Sequence, residues 1–125
     1  MANISGSWLG TYWQQGNQTR FEATFVQNGN TIYGNILDDG HLGEATIHGE
    51  VIGRHISFVK SYRGNNKKLA AVNYNGAITE DGNSMSGKWD FFGMFGFEEW
   101  EAHRSDQNLE SELKNYLTNK EPVYK

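Results

Sequence analysis

Lys60 has the setting that most invites chemistry. It falls in the alternating run Ile56, Phe58, Lys60, Tyr62, so on a strand one ammonium shares a face with three large apolar or aromatic side chains. An ammonium drawn out of water has three recourses: it pairs with a carboxylate, stacks on an aromatic face, or has its pKa shifted downward. Such a group could grip the anionic head of a ligand. It could equally stand near the edge of an apolar region and reach solvent on its long stem.

Tyr12, Tyr62, Tyr74 and Trp89 fall on the same face as Lys60 when the chain is read as strands, and they combine broad apolar area with polar tips. With Phe25 and Phe58 they form the wall expected to meet a flat or amphipathic ligand. The same rings could instead interlock with glycines opposite them and leave no cavity.

Other reactive types point less far. His41, His48, His55 and His103 show no i,i+4 ligand spacing and fall on turns or outward positions, so no metal site is expected. Glu98, Glu99 and Glu101 flank Trp100. A carboxylate with raised pKa among them could do acid–base work, but an outward acidic stripe that keeps an apolar hairpin soluble explains them as well. No Gly-x-Ser-x-Gly sequence or nucleophile–base pairing accompanies them. The absence of Cys removes disulfides, thiolate metal sites and cysteine nucleophiles. No cofactor and no catalytic residue is implied.

The elements that must position these residues are legible in the turn signals. Gln15-Gly16-Asn17, Asn28-Gly29-Asn30, Asp38-Asp39-Gly40, Gly53, Gly64-Asn65-Asn66, Asp81-Gly82-Asn83 and Gly93 divide the chain into alternating runs rich in β-branched and aromatic residues. Strands are expected at 6–14, 19–27, 31–37, 43–52, 54–63, 68–80, 84–92 and 94–104. Joined in sequence by short turns, they form an antiparallel meander. The segment Ala45, Ile47, Gly49, Val51 assigns the inner face, because the intervening Glu44, Thr46, His48 and Glu50 are polar. An apolar-x-Gly-x-apolar device recurs at Trp8–Tyr12, Ile32–Ile36, Ile47–Val51, Tyr74–Ile78 and Met85–Trp89. Glycine at the inner face permits tight coiling and leaves space beside two large residues, and its recurrence implies closure into a barrel. Closure removes the sheet edges, and eight strands enclose either a filled core or one small ligand.

After Arg104, Ser105 suits an N-cap and Leu109, Leu113, Tyr116 and Leu117 recur at helical spacing, which predicts one helix over about 105–118. It would pack on the barrel wall or cover one mouth. The hairpin from Phe91 to Phe97 holds four Phe and a Met around two glycines. It requires cover, from this helix first, then from a second copy in a homodimer, a ligand at the barrel mouth or a lipid surface.

At 125 residues the chain fits a single domain, 1–125, with the barrel over about 6–104. A net charge of −4, with eleven basic residues scattered among fifteen acids, argues against nucleic acid as a partner. No apolar run approaches a membrane span, and nothing near Met1 resembles a secretory signal, so a cytoplasmic location is expected.

Gly6-Ser7-Trp8 opening the first strand, eight meandering strands, and Arg104 closing the last resemble the calycin group of lipocalins, avidins and fatty-acid-binding proteins. The resemblance implies an up-and-down β-barrel in which Trp8 packs against Arg104 and closes one end. The Thr-Asp-Tyr-type segment of lipocalins is absent and no avidin-like set of polar contacts maps onto the chain, so no ligand carries over. The expected function is binding of a small, partly apolar molecule inside the barrel by Tyr12, Phe25, Phe58, Lys60, Tyr62, Tyr74 and Trp89. The alternatives are a filled barrel acting as an assembly module through Phe91–Phe97, or an enzyme using Lys60 with a glutamate in the same cavity.

Overall fold

The computed structural model describes residues 2–39, 43–62, 71–91 and 98–105. Eight strands follow one another: β1 (Gly6–Gln14), β2 (Asn17–Asn28), β3 (Thr31–Asp38), β4 (Glu44–Ile52), β5 (His55–Tyr62), β6 (Ala71–Ile78), β7 (Ser84–Asp90) and β8 (Glu98–Arg104). Each pairs antiparallel with the next, and β8 returns to β1 from Tyr12↔Trp100 to Trp8↔Arg104, so the sheet is a closed all-β barrel. The first hairpin turns over two residues, Gln15 and Gly16, whose φ angles of 51° and 83° match the twist of the flanking strands. That tight turn lets β2 start at Asn17, two residues earlier than the spacing suggested. The expected helix over about 105–118 lies outside the described residues apart from Ser105, and so does the Phe91–Phe97 hairpin apart from Phe91. Among the described residues no helix is long and apolar enough to cross a membrane.

The inner face follows the expected alternation. Ala45, Ile47 and Val51 are buried while Glu44, His48, Glu50 and Ile52 on the same strand are exposed. Trp8, Tyr12, Phe21, Ala23, Phe25, Ile32, Ile36, Ile56, Phe58, Tyr74, Ile78, Met85, Trp89, Trp100 and Ala102 complete one continuous core. Each large side chain withdrawn from water contributes about 1.5–3 kcal/mol.

The mid-strand glycines permit coiling, but they leave no empty space. A Cβ on Gly34 would overlap the Thr24 carbonyl of the adjoining strand, so only glycine allows β2 and β3 to coil this tightly. Gly76 and Gly87 face each other across β6 and β7, and the Trp100 indole reaches over them. Its Nε1 donates to the Asn75 and Lys88 carbonyls at 3.1 and 3.2 Å. Phe58 continues the filling: it stacks on Tyr74 at 4.8 Å and meets Phe25 and Trp100 edge-on at 5.6 and 5.9 Å. Rings occupy the middle of the barrel.

The two ends differ. At the end where β1 begins, Trp8 is fully buried and its Nε1 donates to the Ile4 carbonyl at 2.9 Å. The Arg104 guanidinium lies 4.8 Å over the Trp8 ring and donates to the Ser5, Asn3 and Gly82 carbonyls at 2.7, 2.6 and 3.2 Å. The opposite end, where β1, β3, β5 and β7 finish, carries the buried charges of Asp38 and Lys60.

Candidate functional site

Strand alternation aims Lys60 inward from β5, and the barrel leaves it no route to solvent: its side chain is 1% exposed. Reaching water by its stem, one of the two readings of the sequence, is therefore excluded. The ammonium instead pairs with a carboxylate from β3. Its Nζ sits 2.9 Å from both Asp38 oxygens, and the Asp38 side chain is itself fully buried. Asp38 closes the inward series Ile32, Gly34, Ile36, and its backbone N–H is held by the Gly43 carbonyl at 3.1 Å.

The pair crosses β4 near its inward Ala45 and Ile47, the latter opposite Lys60 in the register. Ala45 lies between Ile36 and Tyr62 in the register and offers only a methyl group, which leaves room for the carboxylate and the ammonium to meet.

Tyrosines complete the arrangement. Tyr62 and Tyr12 donate their hydroxyls to Asp38 Oδ2 at 2.6 and 3.2 Å, and Tyr74 accepts from Lys60 Nζ at 3.5 Å. The ammonium also lies 4.7, 4.8 and 5.6 Å from the ring centres of Tyr12, Tyr62 and Tyr74, within cation–π range. Among the described residues no buried side-chain polar atom lacks a hydrogen-bond partner. Of the three recourses open to a buried ammonium, Lys60 thus takes the carboxylate and the aromatic faces together, and the lowered pKa as well.

The protonation states follow from burial. Desolvation pushes the Lys60 pKa below the ordinary lysine value, and the Asp38 carboxylate pulls it partly back. Desolvation and then Asp38 push the Tyr12 and Tyr74 hydroxyls up. Tyr62 rises for the same reasons, with its short bond to Asp38 ahead of the carboxylate's charge.

A cavity of about 130 Å³ opens at this end, walled by Tyr12, Gln14, Tyr62, Val72, Tyr74, Trp89 and Phe91. Trp89 is fixed by its Nε1 bond to the Trp13 carbonyl at 3.0 Å and by edge contacts with Tyr12 and Phe91 at 5.9 and 5.4 Å. Of the seven residues expected to meet a ligand, Tyr12, Tyr62, Tyr74 and Trp89 stand together on this wall. Phe25, Phe58 and Lys60 do not line it; the two Phe belong to the ring-filled middle of the barrel and Lys60 to the ion pair.

Sequence reasoning missed Asp38, Gln14 and Val72, and it set Phe91 in the apolar hairpin, apart from the ligand wall. Asp38 was recoverable: extending the inward parity of β3 by one step past Ile36 reaches it, but Asp38-Asp39-Gly40 also reads as a turn. The other candidates face outward. His48, His55 and His103 are exposed, and His41 lies outside the described residues. Glu99 and Glu101 are exposed, while half-buried Glu98 accepts the Gln15 backbone N–H at 2.8 Å. Trp100, between them, points inward. No glutamate of this strand shares a cavity with Lys60.

No family model matches the chain, and no curated protein matches it.

Proposed function

We propose that this protein is a calycin-like binding barrel that holds one small, partly apolar molecule at the mouth formed by Tyr12, Tyr62, Tyr74, Val72, Trp89 and Phe91. The observation that carries this reading is the cavity of about 130 Å³ with mainly aromatic walls, and with the hydrogen-bonded Lys60, Asp38 and tyrosines as the floor beneath it. An engineered apolar cavity of about 150 Å³ accommodates benzene, so the space suits a single ring or a short branched chain. The packing of Arg104 on Trp8 at the other end supports the same reading, because it leaves the mouth as the natural entrance. The ligand sits above the ring-filled middle of the barrel, not within it.

The floor is built to be immobile. Lys60, Asp38 and three tyrosines hold one another in place, so the walls are preorganised and little ordering accompanies binding. A lysine-dependent reaction is the weaker reading, since Lys60 is absent from the cavity wall and its ammonium is committed to Asp38.

Native mass spectrometry of the purified protein tests the proposal. A reproducible excess mass that disappears on denaturation is the expected result. It should also disappear in a Val72→Phe variant, which narrows the cavity from its wall while circular dichroism reports an intact barrel. An excess mass that survives Val72→Phe would place the ligand elsewhere. A bare protein that also takes up no added single-ring compound would end the binding reading.

A further inference from the structure

We infer that the mouth selects an uncharged single-ring molecule bearing a hydroxyl, a phenol-type ligand whose hydroxyl donates to Tyr62 Oη. The inference rests on the binding reading and adds charge and polarity to it.

Charge comes first. Lys60 places two of its N–H groups on the Asp38 oxygens at 2.9 Å and directs the third toward Tyr74 at 3.5 Å, so it has no donor left for an incoming anion. An anion would approach the Asp38 carboxylate and the electron-rich hydroxyl oxygens of the floor. A cation would find the Tyr12, Tyr62 and Tyr74 rings already occupied by the Lys60 ammonium, 4.7–5.6 Å from their centres, and would be repelled by it. Either ion would also shed its hydration against Val72, Trp89 and Phe91. The floor is an internally neutralised pair, and it matches a neutral guest.

Polarity follows from which way the hydroxyls point. The Tyr62 proton is committed to Asp38 Oδ2 at 2.6 Å, so this half-buried residue offers the cavity lone pairs only. Tyr12 is likewise committed to Asp38 and is buried more deeply than Tyr62, which leaves Tyr62 as the acceptor nearer the opening. Tyr74 accepts from Lys60, and among the described residues its own proton has no acceptor. A ligand hydroxyl satisfies both sides at once: it donates to Tyr62 and accepts from Tyr74. A carbonyl or ether can only accept and leaves Tyr62 unanswered.

Four probes of one size separate the possibilities: phenol, toluene, benzoate and benzylammonium, titrated at pH 7 into the ¹⁵N-labelled full chain and followed by amide and indole shifts, Trp89 among them. Phenol is expected to bind about tenfold more tightly than toluene, the margin of one neutral hydrogen bond, and to outbind both ions by at least as much. Tyr62→Phe should lower phenol to the affinity of toluene. Benzoate or benzylammonium binding as well as phenol, or phenol keeping its advantage in Tyr62→Phe, would overturn the inference while leaving the binding reading in place. If none of the four shifts the signals of the mouth, the binding reading itself fails.

Discussion

Lys60 Nζ and the Asp38 carboxylate meet at 2.9 Å although their strands are not neighbours, because β4 lies between β3 and β5. A contact of this kind ties three strands together at one end of the barrel. Its net worth is modest, since removing both ions from water offsets most of their attraction. Its specificity is high, because a slip of one residue in the register of either strand would turn a charge outward and strand its partner among apolar rings.

Breaking the pair from one side should therefore cost far more than removing it whole. Lys60→Met leaves a buried carboxylate with only tyrosine donors, and Asp38→Asn leaves an ammonium among rings. Each is expected to lose about 3–5 kcal/mol of unfolding free energy. The double variant should lose clearly less than the sum, because no ion is left alone. Urea unfolding of the four proteins gives the coupling directly, and additive losses would mean the pair contributes nothing as a pair.

Asp38→Asn carries a further signature in pH. Burial already lowers the Lys60 pKa and Asp38 opposes that fall, so without the carboxylate the folded value drops further while the unfolded value stays near 10.5. Between those values the unfolded chain binds more protons than the folded one, so the stability of Asp38→Asn should rise with pH up to about 10.5. Unfolding midpoints between pH 6 and 10 check the slope, which should be much flatter in Asp38→Asn/Lys60→Met.

The tyrosines impose the opposite slope on the natural protein. Tyr74 has a folded pKa well above its ordinary 10, so its contribution is complete below pH 10 and declines as pH rises beyond it. The decline amounts to about 1.4 kcal/mol per pH unit for this one group. Tyr12 and Tyr62 act in the same direction. Stability measured from pH 9 to 11.5 should fall steeply, and Tyr74→Phe should lessen the fall by close to one proton.

Much of the fold was legible in the sequence because a closed meander repeats one rule. The polar alternation around Ile47 and Val51 fixed the inner face of β4, and the same parity carried Tyr12, Phe58, Tyr74 and Trp89 inward on other strands. The site was less legible because it depends on contacts across strands. Lys60 stood out as a charge on an apolar face, yet its partner lies 22 residues away at a strand end where Asp-Asp-Gly also signals a turn. The cavity was not legible at all. Whether Phe58 and Trp100 fill the middle of the barrel depends on how their rings interlock over Gly76 and Gly87, which no linear pattern encodes.

Ala45 tests the geometry of the crossing. A larger side chain there would crowd Ile36 and Tyr62, its neighbours in the register, and Ala45→Leu should cost the usual penalty for overpacking, about 1–3 kcal/mol, together with much of the ion pair. In the Lys60→Met background the pair is already lost, so the same change should cost less. Equal losses in both backgrounds would show that Ala45 packs the wall without gating the contact.

Arg104 makes its prediction at the other end of the barrel. Three of its nitrogens donate to carbonyls of Asn3, Ser5 and Gly82, and its plane covers Trp8, a geometry that the single ammonium of a lysine cannot reproduce. Arg104→Lys should release residues 2–5 from the barrel first. Faster amide exchange at Ile4 and Ser5 and a fluorescence change at Trp8 are expected, with a stability loss of about 1–3 kcal/mol from the charged hydrogen bonds. The mouth lies at the far end of the same closed sheet, so the affinity of Arg104→Lys for phenol should stay within about twofold of the natural protein's under conditions where both are folded. A larger drop would mean that the clamp on Trp8 also sets the shape of the Tyr12 wall, four residues further along β1.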